Sequence, residues 1–361
     1  MRSSLLALAL SAITTVTTGC AHHARGHAAS RPDETLLHVV GQPTGFGLNG
    51  HRITWVTNRV TVADTDSGRR ADIAPGGGNP PVPMAVSGST VLWLDRQGAN
   101  SEVDTLWVAS PEAGRKRLAS WFPDKDSASL LGTFFGGVDA RGKALVYAFY
   151  ELAPVSRKPN ACADTPCRRH VTGGGTFLVT PGSLAVRRIL PPARAVAVGG
   201  NKVVAAVLGR GGAYTGKARL VVWNLLDGSR RAVGTPAPVQ AVAVDGSRVA
   251  ALVGPEDVAP TALRLWNLRA GSPVRTFRVP AVDRSLALAG AHAVLRIGGT
   301  ILTLNLRSGR RHVVARYRPN EDERYGPWIS GRRLLWVEAY NLGETAPRLL
   351  VRSAPLPPPS S

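Results

Sequence analysis

LVVWNLLDGSRRAV (220–233), LRLWNLRAGSPVRTF (263–277) and ILTLNLRSGRRHVV (301–314) share one pattern: an apolar-alternating run, a turn holding Gly, then a basic-apolar run. That pattern is a β-hairpin. Weaker copies are RVTVADTDSGRRADI (59–73), TLWVASPEAGRKRLA (105–119) and TFLVTPGSLAVRRIL (176–190). A second hairpin precedes each of these, as in GFGLNGHRITWV (45–56), PMAVSGSTVLWLD (83–95), GGVDARGKALVYAF (136–149), RAVAVGGNKVVAAVL (194–208), QAVAVDGSRVAALV (240–253) and RSLALAGAHAVLRI (284–297). PWISGRRLLWVEAY (327–340) is a seventh copy of that second kind.

Each unit therefore holds four short strands, a to d, in roughly 40–45 residues, the blade period of a β-propeller. Seven blades are expected, with six or eight as alternatives. The last unit offers only three strands of its own, ending at RLLVRSAP (348–355), while TLLHVV (35–40) stands alone before the first a strand. Pairing the two would close the ring and leave no terminal edge bare. The first strands are rich in Ala, Gly and Val, as suits the crowded centre. Trp55, Trp93, Trp107, Trp223, Trp266 and Trp336 are expected to pack between blades rather than to hold ligand.

The period and shape resemble the divergent WD-repeat-like, TolB-type propellers attached to bacterial exported proteins. The resemblance covers nearly the whole chain after the N-terminal segment. Where a WD-repeat blade would carry the Trp-Asp dipeptide, this chain has Trp223-Asn224 and Trp266-Asn267.

The 361 residues carry 44 Lys+Arg against 24 Asp+Glu, a formal charge of +20, and only 6 of the basic residues are Lys. A hydrophobic share of 44% sets the chain apart from disordered or collagen-like sequences. Residues 1–20, MRSSLLALALSAITTVTTGC, read as a signal peptide whose apolar core is too short to span a membrane. The Gly19-Cys20 ending resembles the lipobox of bacterial lipoproteins, which implies lipidation at Cys20 and an outer-face, membrane-anchored location. Cleavage without lipidation, releasing a secreted protein, is the alternative. Residues 21–35 read as a flexible tether, 36–356 as the propeller and 357–361 as a Pro-rich tail.

With Cys20 acylated, Cys162 and Cys167 in CADTPC are left to pair, stapling a long loop at 150–171. A metal site there would need more ligands than His170 offers. No cofactor or metal is expected. GGAYTGKA (211–218) has phosphate-loop spacing, but Ala218 replaces the magnesium-binding hydroxyl and no helix follows. Asp64-Thr65-Asp66-Ser67-Gly68 begins like a calcium loop but lacks its closing Glu, and reads better as Asp and Ser capping turn amides.

In a propeller the a–b and c–d turns share one face, here called the turn face. It should carry Arg69, Arg70, Arg115, Lys116, Arg117, Arg187, Arg188, Arg230, Arg231, Arg248, Arg310, Arg311, Arg332 and Arg333, an anionic-surface patch. Asp95, Asp104, Asp283, Glu338 and the acids of the longer loops are assigned to the opposite face. Nucleic acid is not an expected partner for an exported chain whose basic residues lack interleaved aromatics. The reading is a monomeric, non-enzymatic binding scaffold at the cell envelope. Loops 95–104, 150–171, 209–217, 254–261 and 318–327 are the candidate contacts with a protein partner or envelope polymer. The alternative is a hydrolase, lyase or sugar-binding module that uses the central opening; carboxylates and His lining the opening would favour it, an apolar lining the scaffold.

Overall fold

Strand b of the fourth unit, Lys202–Leu208, shows how the repeats assemble. Its side chains alternate between two faces, and both faces are apolar. Val203 and Ala205 pack with Val146, Ile189 and Trp223, whereas Val204 and Ala206 pack with Val249 and Ala251 of the next unit. A sheet buried on both faces must stack against a sheet on each side, and a run of such sheets closes into a ring.

The computed structural model describes residues 34–39, 45–75, 84–97, 103–121, 132–154, 169–209, 214–255, 258–269, 273–316, 323–341 and 348–357. Its strands form seven four-stranded antiparallel sheets, with no helix among the described residues. Blades 1 to 6 are consecutive, spanning 46–75, 84–121, 132–190, 193–237, 239–278 and 283–315. Blade 7 takes strands a to c from Glu323–Ser330, Arg333–Tyr340 and Arg348–Pro355, and its outer strand from Glu34–Val39. The expected closure is present: Thr35 pairs with Arg352, Leu37 with Val351 and Val39 with Leu349.

Between successive blades lie apolar layers, and the tryptophans fill them. Trp93, Trp266 and Trp336 are fully buried, and Trp55 and Trp223 nearly so. The inner strands need small residues because they converge. A Cβ added at Gly199 in blade 4 would overlap the Val244 carbonyl oxygen of blade 5, and one at Gly136 in blade 3 would overlap the Ala193 carbonyl oxygen of blade 4.

The two classes of turn do share a face. In blades 1, 4, 5 and 6 a c–d turn amide donates to an a–b turn carbonyl of the same blade: Thr65 to His51 at 2.7 Å, Leu225 to Asn201 at 2.8 Å, Leu268 to Ser247 at 2.7 Å and Leu306 to Ala291 at 2.7 Å.

Blade 7 is tied across its whole width by a buried ion network. Arg324 (strand a) and Glu338 (strand b) have side chains 0% and 1% exposed, with Nη2 and Oε1 3.3 Å apart. Glu338 also accepts from Trp336 Nε1 at 3.0 Å, Tyr340 Oη at 2.8 Å and Arg352 Nε at 3.0 Å. Arg352 in turn donates to Thr35 Oγ1 on the outer strand. Burial by itself would raise the Glu338 pKa, but these donors and the Arg352 charge hold it below the ordinary carboxylate value.

Two expectations are corrected. The loop at 150–171 is shorter than its sequence suggests, because strand b of blade 3 runs to Pro154 and strand c resumes at Arg169, with Leu152 paired to Val171. Gly173-Gly174-Gly175 lies within strand c, where Gly174 has φ +96° and a Cβ would strike the backbone of Phe149 and Tyr150. Second, Asp95, Asp104 and Glu338 are buried, at 0%, 5% and 1% exposure, so they do not contribute surface charge to the opposite face.

Candidate functional site

The first strands surround a central cavity of about 560 Å³. Its wall is mostly small and apolar: Val138, Ala195, Ala197, Val242, Ala243, Leu286 and Ala287 are typical. Asp139, Arg141 and Arg296 are the charged residues lining it among the described residues. No cluster of three or more His, Cys, Asp or Glu able to hold a metal occurs among the described residues.

On the turn face the hairpin of blade 3 reaches across this cavity. Asn49 of blade 1 donates from Nδ2 to the Gly142 carbonyl at 3.1 Å, and the Gly142 amide donates back to Asn49 Oδ1 at 3.1 Å. Ser87 Oγ of blade 2 donates to the same carbonyl at 2.8 Å. On the other side Arg141 Nη2 lies 3.5 Å from Asp245 Oδ1 of blade 5. Blades 1 and 5 are not neighbours of blade 3, so bonds to both place its turn over the axis. Strand a of blade 3, Gly132–Arg141, has a bulge between Phe135 and Gly137 and is longer than the four-residue a strands of blades 1 and 2. That extra length supplies the reach.

Asp139 looks at first like an acid–base group. Burial pushes its pKa up to about 6, against the lowering effect of hydrogen bonds and of Arg141. Its oxygens, however, accept the Val198 amide of blade 4 at 2.7 Å and the Ala140 amide at 2.8 Å. The carboxylate is a clamp between inner strands.

Of the fourteen basic residues assigned to the turn face, Arg117, Arg187 and Arg188 lie within the outer strands of blades 2 and 3, past their turns. Thirteen of the fourteen are exposed and Arg248 is half-buried. Many have a second occupation that the sequence did not show. Lys116 Nζ donates to the Leu184 carbonyl at 3.3 Å, Arg231 to that of Leu268 and Arg275 to that of Arg307, each bridging to a c–d turn of the next blade. Arg248 bonds the Gly290 carbonyl, Arg311 the Arg278 carbonyl at 2.6 Å and Arg333 the Ser353 hydroxyl at 2.9 Å. Arg70 lies over Trp55, Arg115 over Trp107 at 3.5 Å and Arg187 over Trp223 at 5.1 Å. Arg69, Arg117, Arg188, Arg230, Arg310 and Arg332 are exposed, and their guanidinium groups make no hydrogen bond or ion pair within the described residues.

Three acids of this face, Asp64, Asp227 and Asp245, are engaged with turn amides, whereas Asp66 and Glu112 are exposed. Asp64 accepts the Asp66 and Ser67 amides at 3.0 and 2.9 Å, as its turn-capping reading required, and those bonds lower its pKa. Asp227 caps the Ser229 amide at 2.8 Å, and Asp245 accepts the Gly290 amide at 2.6 Å.

Cys20, Cys162 and Cys167 lie outside the described residues, as do the centres of loops 95–104, 150–171, 209–217, 254–261 and 318–327. Within the phosphate-loop lookalike, Tyr214 stacks on Tyr150 with ring centres 6.4 Å apart, and Ala218 already begins strand c of blade 4. Sequence reasoning missed the roles of Asn49, Arg141 and Gly142, since nothing in one repeat signals a bond to a non-neighbouring blade.

No protein-family model and no curated protein matches the sequence. Solved structures do. The computationally designed Ika8 protein matches at 14% identity over 89% of this chain and 98% of its own, with a TM-score of 0.46. Sqt1 from Saccharomyces cerevisiae matches at 9% identity over 90% and 99%, with a TM-score of 0.46. BamB from Moraxella catarrhalis matches at 13% identity over 86% and 85%, with a TM-score of 0.45. The seven-bladed architecture stands on the strand pairing, and these likenesses assign no activity.

Proposed function

We propose that this chain is a tethered, non-catalytic binding scaffold of the bacterial envelope: Cys20 carries the lipid, the following residues form the tether, and the turn face meets an anionic partner surface. The observation that carries the reading is the imbalance on that face. Asp64, Asp227 and Asp245 accept turn amides and Asp66 and Glu112 stand exposed, against the exposed Arg69, Arg230, Arg310 and Arg332 at the turns and Arg117 and Arg188 of the outer strands beside them. Near an anionic surface each basic group contributes about 1 kcal/mol, so several acting together would orient the domain. The small, apolar wall of the central cavity supports a scaffold over an enzyme, and the double backbone bonding of Asp139 removes its most acid–base-like group from that role.

Co-sedimentation of the mature chain with phosphatidylglycerol vesicles tests the face. Binding should weaken steeply as ionic strength rises, and should fall when the six exposed arginines are replaced by Ser; retention indifferent to salt would overturn the electrostatic reading. Lipidation is tested separately: Cys20→Ala should release the chain from the membrane fraction and abolish palmitate labelling.

A further inference from the structure

The c–d turns of blades 1, 4, 5 and 6 are built alike. A side-chain oxygen of Asp64, Asn224, Asn267 or Asn305 accepts the amide two residues on, from Asp66 at 3.0 Å, Leu226 at 3.2 Å, Arg269 at 2.9 Å and Arg307 at 2.9 Å. That bond recurs in all four, and the side chain at its donor residue is exposed, so nothing in the bond calls for an apolar residue. Blades 1, 5 and 6 accordingly place Asp or Arg there. Blade 4 places Leu226, 81% exposed, the most exposed large hydrophobic among the described residues. The turn is well tied down: Leu225 N bonds the Asn201 carbonyl at 2.8 Å and Gly228 N the Asn224 carbonyl at 2.9 Å. Leu226 is thus held out on an ordered support.

Beside it runs a groove of about 490 Å³ between blades 3 and 4, walled by Leu178, Val179, Pro181, Leu225 and Leu226 and edged by Lys143. Across the same blade 4 turn lies a second recess of about 550 Å³ whose lining includes Lys202, Arg231 and Arg269. An apolar slot bordered on both sides by cations fits a ligand with the opposite arrangement.

We infer that the turn face of blade 4 docks an acidic segment of a partner protein, seating one of its apolar side chains against Leu226 in the blade 3–4 groove while its carboxylates meet Lys143, Lys202 and Arg269. This rests on the reading of the turn face as the binding face, and names its partner. Charge complementarity selects the occupant. A second copy of this chain, itself at +20, brings like charge to a basic face. A flat bilayer meets protruding groups and leaves a recess unfilled.

The test is fluorescence anisotropy with a labelled peptide in which one leucine is flanked by acidic residues, beside a control with serine for that leucine. Burying one leucine should make the first bind about tenfold or more tighter than the control. Leu226→Ser, at an exposed turn tip whose hydrogen bonds are all made by backbone and Asn224, should remove that difference. Lys143→Glu with Lys202→Glu should weaken both peptides. Equal binding of the two peptides, or an unchanged preference in Leu226→Ser, would overturn the inference. Salt-sensitive vesicle binding without peptide binding would leave the basic face standing and sink the peptide site, and loss of both would sink both. Vesicle binding that depends on Leu226, without peptide binding, would make the residue a membrane wedge and likewise end the proposal.

Discussion

The side chain of Asn49 holds both backbone polar groups of Gly142, each at 3.1 Å, although the two residues belong to blades that do not touch as neighbours. This pair keeps the blade 3 turn seated over the central cavity. Asn49→Ala should cost about 1–2 kcal/mol, the net worth of two hydrogen bonds of ordinary strength. Hydrogen exchange is the sharper readout. The Gly142 amide should lose protection while the amides of strand b in blade 4 keep theirs; unchanged protection at Gly142 would show that the turn is held by other means.

Glu338 is the hinge of the closing blade's ion network, and Arg324 beside it is fully buried. Glu338→Ala removes at once the carboxylate that Arg324, Trp336, Tyr340 and Arg352 all bond, a loss of about 3–5 kcal/mol for the breaking of a buried pair. Urea denaturation of the variant should show the drop in midpoint. A chain lacking residues 34–39 should lose comparable stability and aggregate, because the edge of strand Arg348–Pro355 is then bare.

Glu338 and Asp139 should pull stability in opposite directions with pH. The folded pKa of Glu338 lies below its ordinary value of 4.5, so its contribution is full above that pH and fades as pH falls through the folded pKa. Asp139 is raised from 3.8 to about 6, so its contribution is full below pH 3.8 and is lost as pH rises through about 6. Asp139→Asn should therefore flatten the decline in wild-type stability between those two values. Denaturation midpoints across pH 4 to 7 would check it, and identical profiles for the two proteins would refute it.

Gly199→Ala should destabilise by about 1–3 kcal/mol through overpacking, since the added methyl meets the Val244 carbonyl oxygen of the next blade's inner strand. Gly200→Ala, at the turn beside it, meets no atom within 4 Å but forces a residue with φ +58°, so its cost is conformational. Thermal unfolding of the pair separates the two causes: Val244→Ala opens no room at its own carbonyl and should not rescue Gly199→Ala.

The hairpin pattern and its spacing, legible in segments such as 240–253, carried the strand order, the seven units and the borrowed outer strand at Glu34–Val39, because side chains alternate in a strand and an unpaired strand beside a three-stranded unit has one natural partner. The capping role of Asp64 was equally legible. The bounds of the loop at 150–171 misled, since strands b and c of blade 3 pair well beyond the length of their counterparts in the other blades. Leu226 had a signal that only comparison across repeats exposes, a leucine where the matching positions hold Asp66, Arg269 and Arg307.

By itself, then, the sequence determined how many sheets form, how each is wired and which residues lie between them, all consequences of local periodicity repeated along the chain. The tertiary structure alone decided that Gly142 sits over the axis, that Glu338 is a buried counter-ion rather than a surface acid, and that a groove lies beside Leu226. Gly142 meets Asn49 across 93 positions of chain, Glu338 meets Arg324 and Arg352 on the strands to either side of its own, and the Leu226 groove forms where two blades abut; the alternation of apolar residues within a repeat specifies none of these meetings.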